Sequence, residues 1–202
     1  KYKIVRIGCQ TWMAQNLDYH GEDGYIGLCY GDKEKKRNAK VCSRTHGRLY
    51  DWDEAKKACP RGWRLPSDAE WQRLIDFAGG KEVAGNKLKA SEGWKIDRFY
   101  CNGDKYMTVE IDNQGGIKYR EHNNCPSGTD ELGFAALPAG GGDRSDGSFS
   151  SIEYSGGWWS ATEYYVDNFA YHWYMGYDHS DVIRYARDKA LSASVRCVLD
   201  GR

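Results

Sequence analysis

At 202 residues the chain is long enough for one large domain or two small ones, and 40% hydrophobic content allows a sizeable core. Lys plus Arg and Asp plus Glu both number 29, so net charge gives no electrostatic footprint for nucleic acid or an anionic membrane. No apolar run approaches the roughly 20 residues that cross a bilayer as a helix, and the start at Lys1 is uninformative about an export signal.

Residues 2–7 and 10–17 read as short strands around Gly8. A loop follows from Asp18 to Arg44, with the charge run Lys33-Glu34-Lys35-Lys36-Arg37 read as solvated. Asp51 to Cys59 has the character of a short helix stopped by Pro60 and Gly62. Ser67 and Glu70 then form a capping box, in which each side chain satisfies the other's free backbone N–H. Trp71, Leu74, Ile75 and Ala78 recur at helical spacing before Gly79-Gly80, so a helix is predicted over 68–78. A second amphipathic stretch at 81–90 is interrupted by Gly85. Residues 106–111 and 117–120 alternate with period two around 112–116 and predict a β-hairpin. Beyond it come a short strand at 134–137, a glycine-rich loop at 139–147, and strands near 149–154, 158–162, 169–175, 182–186 and 193–198. Early helices followed by an antiparallel meander define the α+β class. With neither repeat nor linker, residues 1–202 are expected to form one domain, interrupted by a hairpin insertion at 97–127.

Seven dispersed cysteines among glycine-rich loops, with no CxxC pair, read as disulfides of an oxidising compartment more than as zinc ligands. Cys29 and Cys42 bracket the charge run; a bridge there closes a short loop worth about 3 kcal/mol in the chain-entropy model. Cys101 and Cys125 stand at the feet of the hairpin and are paired on that ground. An odd count leaves a thiol over, and Cys9 is the candidate.

Twenty-four glycines and a bias to Trp (8) and Tyr (15) over Phe (5) suggest many turns and an aromatic surface with polar handles. The densest aromatic stretch is the last fifth. The candidate ligand-binding residues there are Trp158, Tyr164, Tyr165, Asn168, Tyr171, His172, Trp173, Tyr174, Tyr177, Asp178, His179 and Tyr185. Tyr and Trp supply rigid contact area while Asn, Asp and His supply hydrogen bonds, the chemistry of recognition surfaces. Around Tyr171-His172-Trp173-Tyr174 large or polar groups fall on both faces of a strand, so both are not expected to be buried. Asp143, Asp146, Asp178 and Asp181 are the calcium candidates, although ordinary turn chemistry is the favoured reading of each. No catalytic residue is assigned. The acidic clusters at Asp51, Asp53, Glu54 and at Asp178, Asp181 read as capping or solvated surface. Gly140-Gly141-Gly142 lacks a phosphate-loop pattern, and Ser160 is in no nucleophile elbow.

Several segments together resemble the Fibrobacter succinogenes major paralogous domain family. They are Ile7 to Leu17, Gly47 to Trp52, Cys59 to Trp71, Gly128-Thr129-Asp130 with Gly133-Phe134, Trp158 to Glu163, and Ser194 to Val198. The resemblance implies a C-type-lectin-like fold in an exported, often surface-attached protein of a Gram-negative bacterium. It also implies a disulfide from Cys59 to Cys197, and it supports Cys9 as the free thiol. The segment Gly62 to Trp71 and the Arg196-Cys197 ending are also similar to formylglycine-generating enzymes, but their reactive cysteine pair has no match here. The calcium motifs of sugar-binding C-type lectins are missing too, with Trp159-Ser160-Ala161 standing where one is expected. The implied function is a non-catalytic extracellular, cell-surface or periplasmic module that binds a polysaccharide or a surface protein, as monomer or weak oligomer. A structural assembly role and an oxidase are the alternatives.

Overall fold

The computed structural model describes residues 1–22, 26–29, 46–95, 101–102, 105–111, 117–123 and 128–201. The first hairpin pairs β1 (Ile4–Ile7) with β2 (Gln10–Met13) through a two-residue turn in which Gly8 takes a positive φ. After β3 (Leu49–Tyr50), helix α1 (Trp52–Ala58) starts at Asp51, whose carboxylate accepts the Glu54 N–H at 2.9 Å. The short strand β4 (Trp63–Arg64) leads into α2 (Asp68–Phe77), and α3 (Ala84–Leu88) follows.

The Glu70 carboxylate accepts hydrogen bonds from the backbone and hydroxyl of Ser67, both at 2.9 Å, and is clamped by Arg64 at 2.6 Å on each oxygen. Arg64 also meets Asp200 at 2.9 Å, so the start of α2 is tied to β4 and to the chain end.

The remaining strands are β5 (Cys101–Asn102), β6 (Lys105–Ile111), β7 (Ile117–Asn123), β8 (Ala139–Asp143), β9 (Ser148–Ile152), β10 (Ser155–Glu163), β11 (Phe169–Gly176), β12 (Ile183–Asp188), β13 (Leu191–Ser194) and β14 (Val198–Leu199). They form a sheet β1-β2-β14-β4 and a larger one β12-β11-β10-β13-β8-β9, with β3 added on β13. The β5-β6-β7 strands form a third sheet of their own, within the predicted insertion. The architecture is α+β and mostly β.

Two parts of the last third depart from expectation. Ala139–Asp143, expected as loop, is a strand, because its glycines let neighbouring chains close in: a Cβ at Gly140 would lie 2.2 Å from the Ser150 carbonyl. Residues 134–137, expected as a strand, make no ladder. Apart from a single parallel bridge of Ala136 with Lys89, side chains take their carbonyls: Arg196 reaches those of Phe134 and Ala135, and Trp94 Nε1 shares that of Ala136 at 2.9 Å.

Tryptophan fills the interior: seven of the eight are buried, against the expectation of an aromatic-rich surface. Trp71 on α2 lies at the centre of one cluster, its ring 5.1 Å from Trp12, 5.9 Å from Phe134, 6.2 Å from Trp158 and 6.4 Å from Trp173. A second cluster gathers Trp52, Ala55, Ala58, Trp159, Ala170 and Val195 around α1.

A disulfide joins Cys59, at the end of α1, to Cys197, as the resemblance implies. Cys29 is buried and disulfide-bonded, but Cys42, its expected partner, lies outside the described residues. So does Cys125, and with it the Cys101–Cys125 pairing, as does the charge run at 33–37. Cys9 is free and exposed.

Candidate functional site

The candidate residues of the last fifth fall into three groups and a buried remainder. Strand β11 runs between β10 and β12, and it packs into one core cluster through Trp173 and Met175 and into the other through Ala170 and His172, which decides where its side chains go. Trp173 points with Trp158 into the α2 cluster. His172 points the other way, packed edge-on against Trp159 at 5.5 Å and against Tyr185 at 5.1 Å. Trp158, His172 and Trp173 are all buried. The expectation that His172 and Trp173 would not both be buried is thus corrected, and none of the three belongs to an exposed face. An interior strand buries both sides, and the sequence pattern did not show which strand that would be.

The first exposed group lies on the α2 side of the sheet edge. Tyr164 and Tyr165 approach at 4.1 Å, and Tyr164 meets Tyr171 edge-on at 5.3 Å. Tyr165 is 83% exposed. The Arg184 guanidinium lies 4.7 Å over the Tyr171 ring and pairs with Asp68 at 2.8 Å, fixing this corner to the first turn of α2. Asn168 is exposed with a positive φ, the role of a turn residue between β10 and β11. The second group sits on the opposite face, where Tyr174 and Tyr185 lie 6.1 Å apart beside the exposed Ile183. Burial, then the hydrogen bond to Ser155 in opposition, leave the Tyr174 phenol pKa raised. The third group is the loop after β11, with Tyr177 edge-on to Tyr154 at 5.2 Å and Asp178 beside His179 at 3.4 Å.

The calcium candidates have other engagements. Asp143 Oδ1 accepts the backbone and hydroxyl of Ser145 at 2.8 and 2.6 Å, and Asp146 Oδ1 accepts the Ser148 N–H at 2.8 Å. Those are turn contacts. Near Asp178 and Asp181 the positive charge comes from the buried Lys89 ammonium, which donates to the carbonyls of Gly176 at 2.9 Å and His179 at 2.6 Å. Burial brings the Lys89 pKa down to about 8, against the pull of Asp178 and Asp181. Among the described residues no three His, Cys, Asp or Glu side chains are grouped to hold a metal ion.

Sequence reasoning missed the feature that lies beneath the second tyrosine group. Gly156 pairs with Gly140 in parallel register, and Gly157 and Gly141 are the next residues on the two strands, where β13 begins to come between them. The His172 ring lies on one and the Arg187 guanidinium on the other. A Cβ at Gly157 would come within 2.4 Å of His172 Nε2, and one at Gly141 within 2.8 Å of Arg187 Nη2. Both ring nitrogens of His172, and Nε of Arg187, are shielded from solvent without a hydrogen-bond partner. Burial, and then the neighbouring Arg187 charge, drive the His172 pKa well below its ordinary value, so the ring is neutral. The signal in the sequence was the pair of cations in Ile183-Arg184-Tyr185-Ala186-Arg187-Asp188, one directed to each face by strand alternation.

A family model, the Fibrobacter succinogenes major domain, matches residues 5–199. The chain belongs to that family. Searches of curated proteins and of solved structures returned no match.

Proposed function

We propose that the chain is a non-catalytic extracellular binding module on a C-type-lectin-like scaffold, taking a polysaccharide along the tyrosine-lined edge of its larger sheet. The observation that carries this reading is the segregation of aromatic residues in one segment. Trp158, Trp159 and Trp173 fill the core, while Tyr164, Tyr165, Tyr171, Tyr174 and Tyr185 stay at the surface around β12. Tyrosine that is not needed for packing offers a flat apolar face and a hydroxyl, which suits a sugar ring. A disulfide between distant parts of the chain fits an oxidising compartment, and no described helix is long and apolar enough to cross a membrane. An oxidase reading would need two neighbouring thiols; the described cysteines supply Cys9 as a free one, on the β1–β2 turn.

The test is retention on insoluble cellulose, xylan and polygalacturonate. Replacing Tyr164, Tyr171, Tyr174 and Tyr185 together by alanine is expected to weaken the retained interaction at least about thirtyfold, the scale of one aromatic hot spot. Binding that survives all four replacements would refute the site. Light scattering across concentrations tests the assembly alternative, which requires self-association through the same edge.

A further inference from the structure

The imidazole on Gly157 and the guanidinium on Gly141 are an unusual combination. Arg187 forms no ion pair among the described residues, and its contact to the Ser192 carbonyl is long, at 3.5 Å. Its Nε–H faces no acceptor. Beside it, a neutral imidazole offers one N–H donor and one bare nitrogen, neither of them used. Buried donors are nearly always satisfied, by protein, water or a ligand. Here a cation whose Nε–H lacks an acceptor and an imidazole with no hydrogen-bond partner among the described residues lie within electrostatic reach of each other at the foot of the Tyr174–Tyr185 surface. The glycines beneath them keep the bed flat, since a side chain at either position would displace the group lying on it.

We propose that Arg187 and His172 form an anion subsite for a carboxylate, and that the polysaccharide taken by the tyrosine edge is an acidic, uronate-bearing one. The sugar rests on the reading given above; the anion does not. A guanidinium presents Nε and Nη as two parallel donors, matching the two oxygens of a carboxylate, and an arginine with no ion pair among the described residues supplies the charge. The His172 N–H adds a third donor once the half-exposed Tyr185 side chain, which covers the ring from an edge strand, turns aside. Tyr185 and Tyr174 then hold the ring that bears the carboxylate.

The test is NMR titration of the folded chain, following the His172 Cε1–H resonance, with three probes: tetragalacturonate, its methyl ester, and acetate. Tetragalacturonate is expected to move that resonance and to bind at least about tenfold more tightly than the ester, the factor of one charge-assisted pair. Arg187→Gln is expected to abolish the preference, and Arg187→Lys to restore part of it, while near-ultraviolet circular dichroism shows both variants folded. Acetate separates the two claims. An Arg187-dependent acetate response with no binding of any saccharide would uphold the anion subsite and refute the polysaccharide reading. Equal affinity for acid and ester would overturn the proposal. So would a His172 resonance that responds to neither acetate nor the tetramer, which would leave buried water as the partner of these nitrogens.

Discussion

Arg196 shows how a single buried side chain organises this molecule. It is fully buried, and donates to the carbonyls of Met13 at 3.2 Å, Phe134 and Ala135 at 3.1 Å, and to Asn16 Oδ1 at 2.8 Å. Burial lowers its pKa to about 9, so the group is still charged at neutral pH. Asn16 passes the connection on, accepting Trp158 Nε1 at 2.9 Å and donating to the His46 carbonyl at 2.9 Å. Arg196→Met removes a charged donor from all four acceptors, of which Asn16 Oδ1 keeps Trp158, and is expected to cost roughly 3 kcal/mol or more, read from the midpoint of urea unfolding. Glu70 makes a pH-dependent contribution. Burial alone would raise its pKa, but the Arg64 and Ser67 hydrogen bonds outweigh that and bring it down to about 2. Its stabilisation is therefore complete above the ordinary glutamate value of about 4.5 and is lost as pH falls from there towards 2. Glu70→Gln is expected to flatten that limb of the stability–pH curve, and an unchanged slope would show that the clamp contributes nothing.

At the level of elements, the helices were the most readable part. Capping residues and apolar spacing are local signals, and α2 appears at Asp68–Phe77 against an expected 68–78. Strand β8 was hidden because a run of glycines carries no alternation, while its reason for being a strand is the close approach of β9 and β10. The 193–198 segment was read as one strand, yet the chain changes sheets inside it, from β13 to β14, to bury Arg196 and Cys197 between them. That switch is what the Cys59–Cys197 bridge secures, across a sequence separation of 138 residues. Replacing both cysteines by alanine is expected to cost about 5 kcal/mol in the chain-entropy model, checked by denaturant unfolding of the double variant. A loss below about 1 kcal/mol would mean that packing around α1 holds the switch without the bridge.

For the whole molecule, the family was legible because its matching segments run in order along the chain, and the family match spans residues 5–199. The site was legible only in part. Composition pointed to the aromatic segment, but whether a ring is core or surface depends on which strands lie on either side. Trp158, His172 and Trp173 therefore moved inside, while Arg184 and Arg187 emerged beside the tyrosines. The central claim is that the tyrosines left outside are there to hold a ligand. The most direct measurement is a spectrum of the protein with isotope-labelled tyrosine rings, taken with and without soluble oligomers of the polysaccharide that retains it. Changes concentrated at Tyr164, Tyr165, Tyr171, Tyr174 and Tyr185, with the buried Tyr50 silent, are predicted. Silence of those five rings while the oligomer is bound would contradict the account.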